Sequence, residues 1–326
     1  MQGPISSGGP AAAAAAGATG VRTNLVRTPS VRSRAEWLIR AALFGAAALS
    51  VLTTGAIVVS LVTETVNFFR AVPIADYLFG TRWTPTLRGE QQSFGVLPLL
   101  WGTVYLSAIG LLVAIPLGLL SAIYLAEYAP ARVRRIIKPI LETLAGVPTI
   151  VFGYFALTFF TPEVLRGLLH IEVNTFNALS AGIILGLLVM PTIASVAEDA
   201  MSAVPRSLRE GAYGLGASKL QTSLRIVFPA ALSGIVAALI LGASRAIGET
   251  VIILIAGGQT ARLAADPTQS YQSMAAFIAA IARGDIPVGS IEYKTIFVVG
   301  FTLFVFTLAL NGASIRLVRR FRQVYE

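Results

Sequence analysis

The stretch Glu210-Gly-Ala-Tyr-Gly-Leu-Gly216, followed after nine residues by Ile226-Val-Phe-Pro229, is a polar segment between two long apolar runs. It is rich in small residues, and Gly216 can adopt the left-handed conformation that ends a helix. The pattern therefore predicts two short helices joined at this glycine. A turn with so little side chain lets a partner protein approach its backbone closely.

Two side-chain pairs are predicted to cap these helices. Ser207 with Glu210, and Ser218 with Gln221, have the S-x-x-E/Q spacing of a capping box, in which each member accepts a hydrogen bond from the backbone of the other. An amphipathic hairpin that only links two membrane helices is the alternative interpretation, and it requires the spacing of the whole segment to be accidental.

The composition is typical of a membrane protein. Hydrophobic residues make up 55% of the chain and charged residues 13%, and the mean hydropathy is +0.75. A soluble domain cannot bury so much apolar surface, whereas a membrane protein can leave apolar side chains in contact with lipid. We therefore predict an all-α integral membrane protein with about six transmembrane helices, because each span needs about 20 apolar residues. The predicted spans are 41–62, 93–126, 143–161, 173–197, 226–257 and 295–315.

The basic residues orient this bundle. With the N-terminus inside, 17 of the 25 Lys and Arg residues lie on the inner side, seven lie outside, and Arg245 lies within a span. The positive-inside rule therefore predicts that both termini and the polar loop, about residues 198–229, are cytoplasmic. Because this topology accounts for the net charge of +9, we expect no nucleic-acid partner.

The first 34 residues differ from the rest of the chain. They are rich in Gly, Ser and Ala, and they lack the basic start and apolar core of a cleavable signal. We predict a disordered cytoplasmic tail over residues 1–34 and a transmembrane domain over residues 35–326. The arginines of the tail can hold it near anionic membrane lipid, although a solvated tail without a role explains the composition equally well.

The residue types exclude an ATPase and several other kinds of catalytic site. Gly211 and Gly216 have the glycine spacing of a nucleotide-binding loop, but Ala217 follows where the loop requires Lys, so the chain has no ATPase of its own. The chain has no cysteine and one histidine, His170, in an outer loop, which leaves no thiolate metal site and no intramembrane Ser/His/Asp set. We expect a transport subunit that binds no cofactor or metal. An intramembrane hydrolase is the weaker alternative, because Glu249 is the one clearly intramembrane acid.

Arg245 and Glu249 are the charged residues of the fifth predicted span, four residues apart on one face of a continuous helix. A charge at mid-membrane costs about 2.5 to 3.5 kcal/mol on insertion scales, whereas a helical ion pair returns a few tenths of a kcal/mol. Local stability therefore does not explain the pair. We predict that it faces a translocation path, where arginine can bind an oxyanion; a buried pair that fixes helix register is the alternative.

The polar loop resembles the EAA motif (E-A-A, three residues, G, nine residues, I-x-L-P) of permeases from ATP-binding-cassette importers. Gly211 replaces the first Ala of the motif and Phe228 replaces its Leu. The resemblance implies the type I ABC importer permease fold and a short cytoplasmic coupling helix that inserts into a cleft of the ATPase subunit. The implied coupling residues are Glu210, Gly211, Ala212, Gly216, Ile226 and Pro229.

Further segments narrow the resemblance. They are Phe94-Gly95 with Leu97-Pro98, Leu144-Ala-Gly-Val-Pro-Thr-Ile-Val-Phe-Gly153, Phe176-Asn177-Ala-Leu-Ser180, Val204-Pro-Arg-Ser-Leu-Arg-Glu210 and Ser244-Arg-Ala-Ile-Gly-Glu-Thr250. From about residue 35 to the C-terminus, the chain is similar to the PstC-type permeases of the bacterial high-affinity phosphate importer.

This resemblance implies a permease that translocates inorganic phosphate across the bacterial cytoplasmic membrane, with Arg245 and Glu249 as the transport-critical pair. Its implied partners are a PstA-type second permease, PstB-type ATPase subunits that use ATP and Mg, and an external PstS-type phosphate-binding protein. Three alternatives stay open: a PstA-type subunit shares several of the segments, a sulfate or molybdate permease shares the loop, and a membrane regulatory scaffold shares the topology.

Two further patterns concern packing. Residues 271–283 predict a short helix, which together with the outer segment around Trp83 forms a predicted face for the external protein; packing of these loops over the bundle is the alternative. Gly182 and Gly186, four residues apart in the fourth span, predict a close helix contact.

Overall fold

The computed structural model describes residues 31–87, 89–284 and 286–321, and it describes no side chains for residues 31–35 and 317–321. Residues 1–30 of the predicted tail lie outside this part of the chain. Helix α1 begins at Val31, four residues before the predicted start of the transmembrane domain.

The described chain is almost entirely helical, as predicted. The first half contains α1 (Val31–Phe69), α2 (Ile74–Phe79), the short antiparallel strands β1 (Trp83–Thr84) and β2 (Ser93–Phe94), α3 (Leu97–Ile123) with a π-helical end (Tyr124–Tyr128), α4 (Ala131–Ala145), and α5 (Thr149–Phe155), which continues as a π-helical segment (Ala156–Leu168).

The second half contains α6 (Ala178–Ser202), α7 (Arg206–Gly214), α8 (Lys219–Thr222) with a π-helical turn (Ser223–Val227), α9 (Phe228–Ala230), α10 (Leu232–Ile247), a π-helical turn (Ile253–Gly257), α11 (Met274–Ala282) and α12 (Ile291–Phe321). The last helix is continuous over the whole of the sixth predicted span.

Four of the six predicted spans are unbroken helices. These are α1, α3, α6 and α12, which are long and apolar enough to cross a membrane. The third and fifth spans are broken instead: α4 and the helix over 149–168 meet at 86°, and the helices on either side of Ala231 meet at 72°. The bend in the third span follows from Pro148, which disfavours helical geometry at the residue before it. The fifth span breaks a second time, because α10 ends at Ile247 and helical geometry resumes at Val251. The prediction of one helix from Ala230 to Gly257 is therefore wrong.

Glycines allow α6 to pack closely against α3, as the sequence predicted. A Cβ added to Gly186 would lie 2.6 Å from the backbone oxygen of Gly110, and one added to Gly182 would lie 2.5 Å from Cγ2 of Ile109. A helix pair at this distance gains its stability from van der Waals contact between backbones, which does not depend on water. Helix α6 also packs against α10, where Gly242 faces Ile193, so α6 is the central element of the bundle.

The two outer segments pack on each other and on the bundle. The Trp83 ring is 6% exposed and lies 5.0 Å from the Phe277 ring of α11, centroid to centroid. The Tyr77 hydroxyl is 2.7 Å from Thr302 Oγ1 of α12, and burial raises the pKa of this hydroxyl. Helix α11 forms where the sequence predicted it, with Ser273 as its N-cap. Because Trp83 is buried, the alternative interpretation, packing of the outer loops over the bundle, accounts for the position of this residue.

We expect Gly186→Ala to destabilise the bundle, because its added methyl group must push a backbone oxygen aside. Overpacking of this kind costs about 1 to 3 kcal/mol, which thermal denaturation of the purified protein in detergent would detect as a lower Tm. Gly312→Ala is the matched control, because a Cβ at Gly312 in α12 meets no atom within 4 Å. Equal Tm values for the two variants would contradict the close packing of α3 and α6.

Candidate functional site

The polar loop folds as two short helices joined by a glycine turn. Helix α7 ends at Gly214, Gly216 has a φ of +81°, and α8 starts at Lys219. The Ala217 amide donates to the Ala212 carbonyl at 3.0 Å, which closes the end of α7. The predicted pair of helices and the left-handed glycine are therefore confirmed.

One of the two predicted capping boxes is present. Gln221 N donates to Ser218 Oγ at 3.3 Å, and Ser218 N donates to Gln221 Oε1 at 2.9 Å. The predicted box between Ser207 and Glu210 is wrong, because α7 starts two residues earlier than predicted, with Pro205 in the N-cap position and no side-chain cap. Ser207 is then the second residue of α7. The amide that the box requires, that of Glu210, belongs to the fifth residue and lies beyond the first amides that a helix start leaves without partners.

The turn exposes backbone and one large apolar side chain. A Cβ added at Gly211, Gly214 or Gly216 would meet no atom within 4 Å, so this surface is open to a partner. Leu215, between the two helices, is 91% exposed. Ala212 lies on the opposite side and is buried, which fixes α7 to the rest of the protein.

Arg209 joins α7 to the end of α3. Its Nη2 donates to Glu127 Oε1 at 2.9 Å and to the Met201 carbonyl at 2.8 Å, and its Nη1 donates to the Val204 carbonyl at 2.6 Å. The Glu127 side chain is 3% exposed. A buried pair with these additional hydrogen bonds holds α7 in one orientation relative to the bundle.

A second charged group joins α4 to the end of α6. Lys138 donates to Glu198 Oε2 at 2.6 Å and also to the Asp199 carboxylate. Ser202 donates to Glu198 Oε1 at 2.9 Å, and Arg134 Nε lies 3.7 Å from the same oxygen. The carboxylate of Glu198, whose side chain is 3% exposed, is therefore satisfied from three directions.

A cavity of about 360 Å³ lies between these two groups, and Glu210 faces it. Arg134, Arg206 and Arg209 contribute to its wall together with Tyr213. Glu210, the first residue of the predicted coupling set, is exposed and lies on the same helix as Arg209. The glutamate is thus placed at an open surface, next to the residues that fix α7.

Ile226 and Pro229 lead from the loop toward the fifth span. Ile226 is half-buried in the π-helical turn, and Pro229 is exposed in α9. Ala231 then bends the chain, with φ −86° and ψ 0°, before α10 starts. The loop is therefore joined to α10 through a corner and not by one straight helix.

Arg245 lies in the last turn of α10 and bonds to two other helices. Its Nη1 donates to Thr192 Oγ1 of α6 at 2.7 Å, and its Nη2 donates to the carbonyl of Ala145 at 3.2 Å. Ala145 is the last residue of α4, so its carbonyl is one of those that a helix end leaves without a partner. The arginine satisfies that carbonyl immediately before the 86° bend.

Glu249 caps a different helix. Helix α10 ends at Ile247, and the Glu249 carboxylate accepts from the Val251 amide at 3.0 Å and from the Ile252 amide at 3.3 Å. Glu249 is 7% exposed. No ion pair joins it to Arg245 in the part of the chain that the structure describes. The prediction that the two residues share a face of one helix is therefore wrong, because the helix breaks between them.

Sequence reasoning missed Glu127, Lys138, Glu198 and Thr192. For Glu198, with Asp199 directly after it at the end of an apolar run, the signal was present, because a buried acid requires a basic partner. The other pairings join residues 53 to 82 positions apart, and a single sequence carries no information about which distant helices meet.

The chain is similar to known permeases. Residues 114–323 match the family described as the binding-protein-dependent transport system inner membrane component. The phosphate transport system permease protein PstC 1 of Mycobacterium tuberculosis is 33% identical over 248 residues, covering 70% of this chain and 73% of that protein. The PstC protein of Xylella fastidiosa is 30% identical over 253 residues, covering 72% of this chain and 76% of that protein.

Solved structures show the same fold. A bacterial alginate ABC transporter in complex with an alginate pentasaccharide-bound periplasmic protein has a TM-score of 0.63 at 16% identity, covering 88% of this chain and 96% of the other. An inward-facing MetNI methionine ABC transporter has a TM-score of 0.51 at 20% identity, covering 70% of this chain and 95% of the other. The predicted type I ABC importer permease fold is confirmed.

We expect Glu198→Gln to destabilise the protein more than Asp199→Asn does. Both variants remove a carboxylate that accepts from Lys138, but Glu198 is buried, whereas the Asp199 side chain is 63% exposed. Loss of the buried charge-assisted bonds costs about 1.5 to 3 kcal/mol, and loss of the exposed one costs less than about 1 kcal/mol. Thermal denaturation of the two isosteric variants measures the difference; the reverse order would show that Glu198 does not hold α4 to α6.

Proposed function

Because the chain belongs to the binding-protein-dependent transport system family, as a PstC-type permease subunit, we propose that it forms one half of the membrane path of an ATP-driven importer of inorganic phosphate. The relatives in Xylella fastidiosa and Mycobacterium tuberculosis are named phosphate transport system permease proteins, which supports phosphate as the substrate. The loop of α7 and α8 supports coupling to a separate ATPase, because its open glycine turn is a surface to which another protein can bind.

We assign ATP hydrolysis to a separate PstB-type subunit, which would bind ATP and Mg. The absence of a nucleotide-binding loop from this sequence supports the assignment. The exposed Leu215 and the residues Glu210, Gly211 and Gly216 would enter the cleft of that subunit. The buried contact between Arg209 and Glu127 would then carry a displacement of α7 to the end of α3, and the corner at Ala231 would carry it to α10.

The remaining partners follow from the same proposal. A PstA-type permease would supply the other half of the path, and an external PstS-type protein would deliver phosphate to the outer segments. The excess of basic residues on one side of the spans supports a cytoplasmic location for the loop and both termini, in the inner membrane of a bacterium.

Arg245 is the residue that we assign to the phosphate path. It places a fixed positive charge within a membrane span and is half-buried, so it is not sealed in the bundle. Glu249 would act beside it by holding the helix break in shape, since its carboxylate caps residues 251 and 252. A sulfate or molybdate permease could use the same arginine, so the substrate assignment needs a direct test.

The test is uptake of labelled phosphate by vesicles that contain the full complex and ATP. We expect uptake of phosphate in preference to sulfate, and we expect Arg245→Ala and Arg245→Gln to lower it about a hundredfold, because both lose charge-assisted hydrogen bonds to the anion. Arg316→Gln is the control: it removes an exposed positive charge at the end of α12 and is expected to transport normally.

Two results would contradict the proposal. Preferential uptake of sulfate or molybdate by the unmodified complex would overturn the substrate assignment. Normal phosphate uptake by Arg245→Ala would remove this residue from the path.

The coupling role is tested by comparing Gly216→Ala with Gly214→Ala. Both methyl groups enter open space, but only Gly216 has a positive φ, at which an L side chain costs about 1 to 2 kcal/mol. We expect Gly216→Ala to weaken co-purification of the ATPase or to lower uptake several-fold, with the membrane part still assembled. Gly214→Ala is expected to behave as the unmodified protein. If the two variants behave alike, the shape of the turn does not matter for coupling.

A further inference from the structure

Thr192 differs from most other threonines in the described helices. The hydroxyls of Thr103, Thr143, Thr158 and Thr302 each donate to the backbone carbonyl four residues earlier. This bond satisfies a polar side chain inside an apolar helix. Within the described ranges, the Thr192 hydroxyl makes no such bond; it accepts from Arg245 instead.

The hydroxyl of Thr192 therefore keeps its hydrogen available. A hydroxyl has one hydrogen to donate and two lone pairs to accept with. One lone pair accepts from Arg245 Nη1 at 2.7 Å. The hydrogen donates to no acceptor among the residues that the structure describes, so it can be offered to a ligand without breaking a bond within the protein.

Arg245 also keeps donors available. Its guanidinium has five N–H groups, and two of them are used, by Thr192 Oγ1 and by the Ala145 carbonyl. Three N–H groups remain next to the hydroxyl of Thr192. Both residues are half-buried, so each keeps part of its surface accessible.

We propose that Thr192 and Arg245 form one oxyanion subsite, in which Thr192 orients the guanidinium and donates its own hydroxyl hydrogen to the anion. The inference rests on the phosphate path proposed above and adds a second binding residue to it. A tetrahedral oxyanion offers acceptors in several directions, which suits a hydroxyl and a planar guanidinium held side by side. The bond to Ala145 would hold the arginine in this orientation while the site is empty of anion.

The first experiment compares Thr192→Val with Thr192→Ser in vesicles that contain the full complex with ATP. Valine has the shape of threonine without the hydroxyl, whereas serine keeps the hydroxyl. We expect Thr192→Val to raise the KM for phosphate about tenfold, by the loss of one hydrogen bond to a charged ligand, and Thr192→Ser to restore it. Thr143→Val is the control, because the Thr143 hydroxyl bonds only to its own helix.

A purely structural role would give a different result. If Thr192→Val and Thr192→Ser impair uptake equally, or if Thr192→Val leaves the KM unchanged, the hydroxyl does not bind the anion and the subsite is refuted. The external binding protein has its own affinity for phosphate, so the KM for phosphate is measured in an ATPase variant that runs without that protein.

A second experiment does not depend on transport. The chain contains no cysteine, so Thr192→Cys introduces its one thiol. We expect phosphate, but not chloride, to slow the reaction of this thiol with a cationic methanethiosulfonate reagent several-fold. Thr143→Cys is the control, and its reaction rate is expected to be unaffected by phosphate. This assay also decides whether the anion binds at Thr192 if the Thr192→Val variant does not assemble with its partners.

The two assays separate the subsite from the substrate. Protection of Thr192→Cys by sulfate or molybdate, with no phosphate uptake by the unmodified complex, would keep the subsite and overturn phosphate as the substrate. Phosphate uptake by the unmodified complex, without protection by any of the three anions, would keep the substrate and overturn the subsite.

Discussion

Backbone hydrogen bonding inside the bilayer is the constraint on which the two broken spans depend. Lipid offers no water to an unpaired amide or carbonyl, so a helix can break at membrane depth only where the freed groups find other partners. Arg245 satisfies the carbonyl at the end of α4, and Glu249 satisfies two amides at the start of the helix after α10. Of the two charges in the fifth span, Arg245 therefore supports the break in the third span, and Glu249 supports the break that follows α10.

The charged groups at the other end of the bundle have a different physical role. Arg209 with Glu127, and Lys138 with Glu198, each join the ends of different helices. Buried pairs of this kind add little net stability compared with apolar packing, but each one selects a single arrangement of the helices that it joins. A loop that is to transmit motion from another subunit needs such a defined connection, since a freely hinged α7 would absorb the displacement.

Several features of the site could be predicted from the sequence because they depend on neighbours along the chain. The turn at Gly216, the capping box of Ser218 and Gln221, and the apolar spans are of this kind. The capping box of Ser207 failed by two residues, because Pro205 occupies the N-cap position and the sequence does not show which of two nearby helix starts is used. The pairing of Arg245 with Glu249 failed because it assumed that an apolar run with no proline is one helix.

The sequence by itself determined the membrane location, the number of apolar segments, the polar loop and the position of one arginine within a span, because each of these depends on composition or on short spacing. The tertiary structure alone decided what that arginine contacts. Thr192 and Ala145 lie 53 and 100 residues from Arg245. Thr192 meets it because Gly242 of α10 allows close packing against Ile193 of α6, and Ala145 meets it because α4 ends at this point of the bundle. Contacts of this kind are set by how whole helices pack, and no local pattern in the chain encodes them.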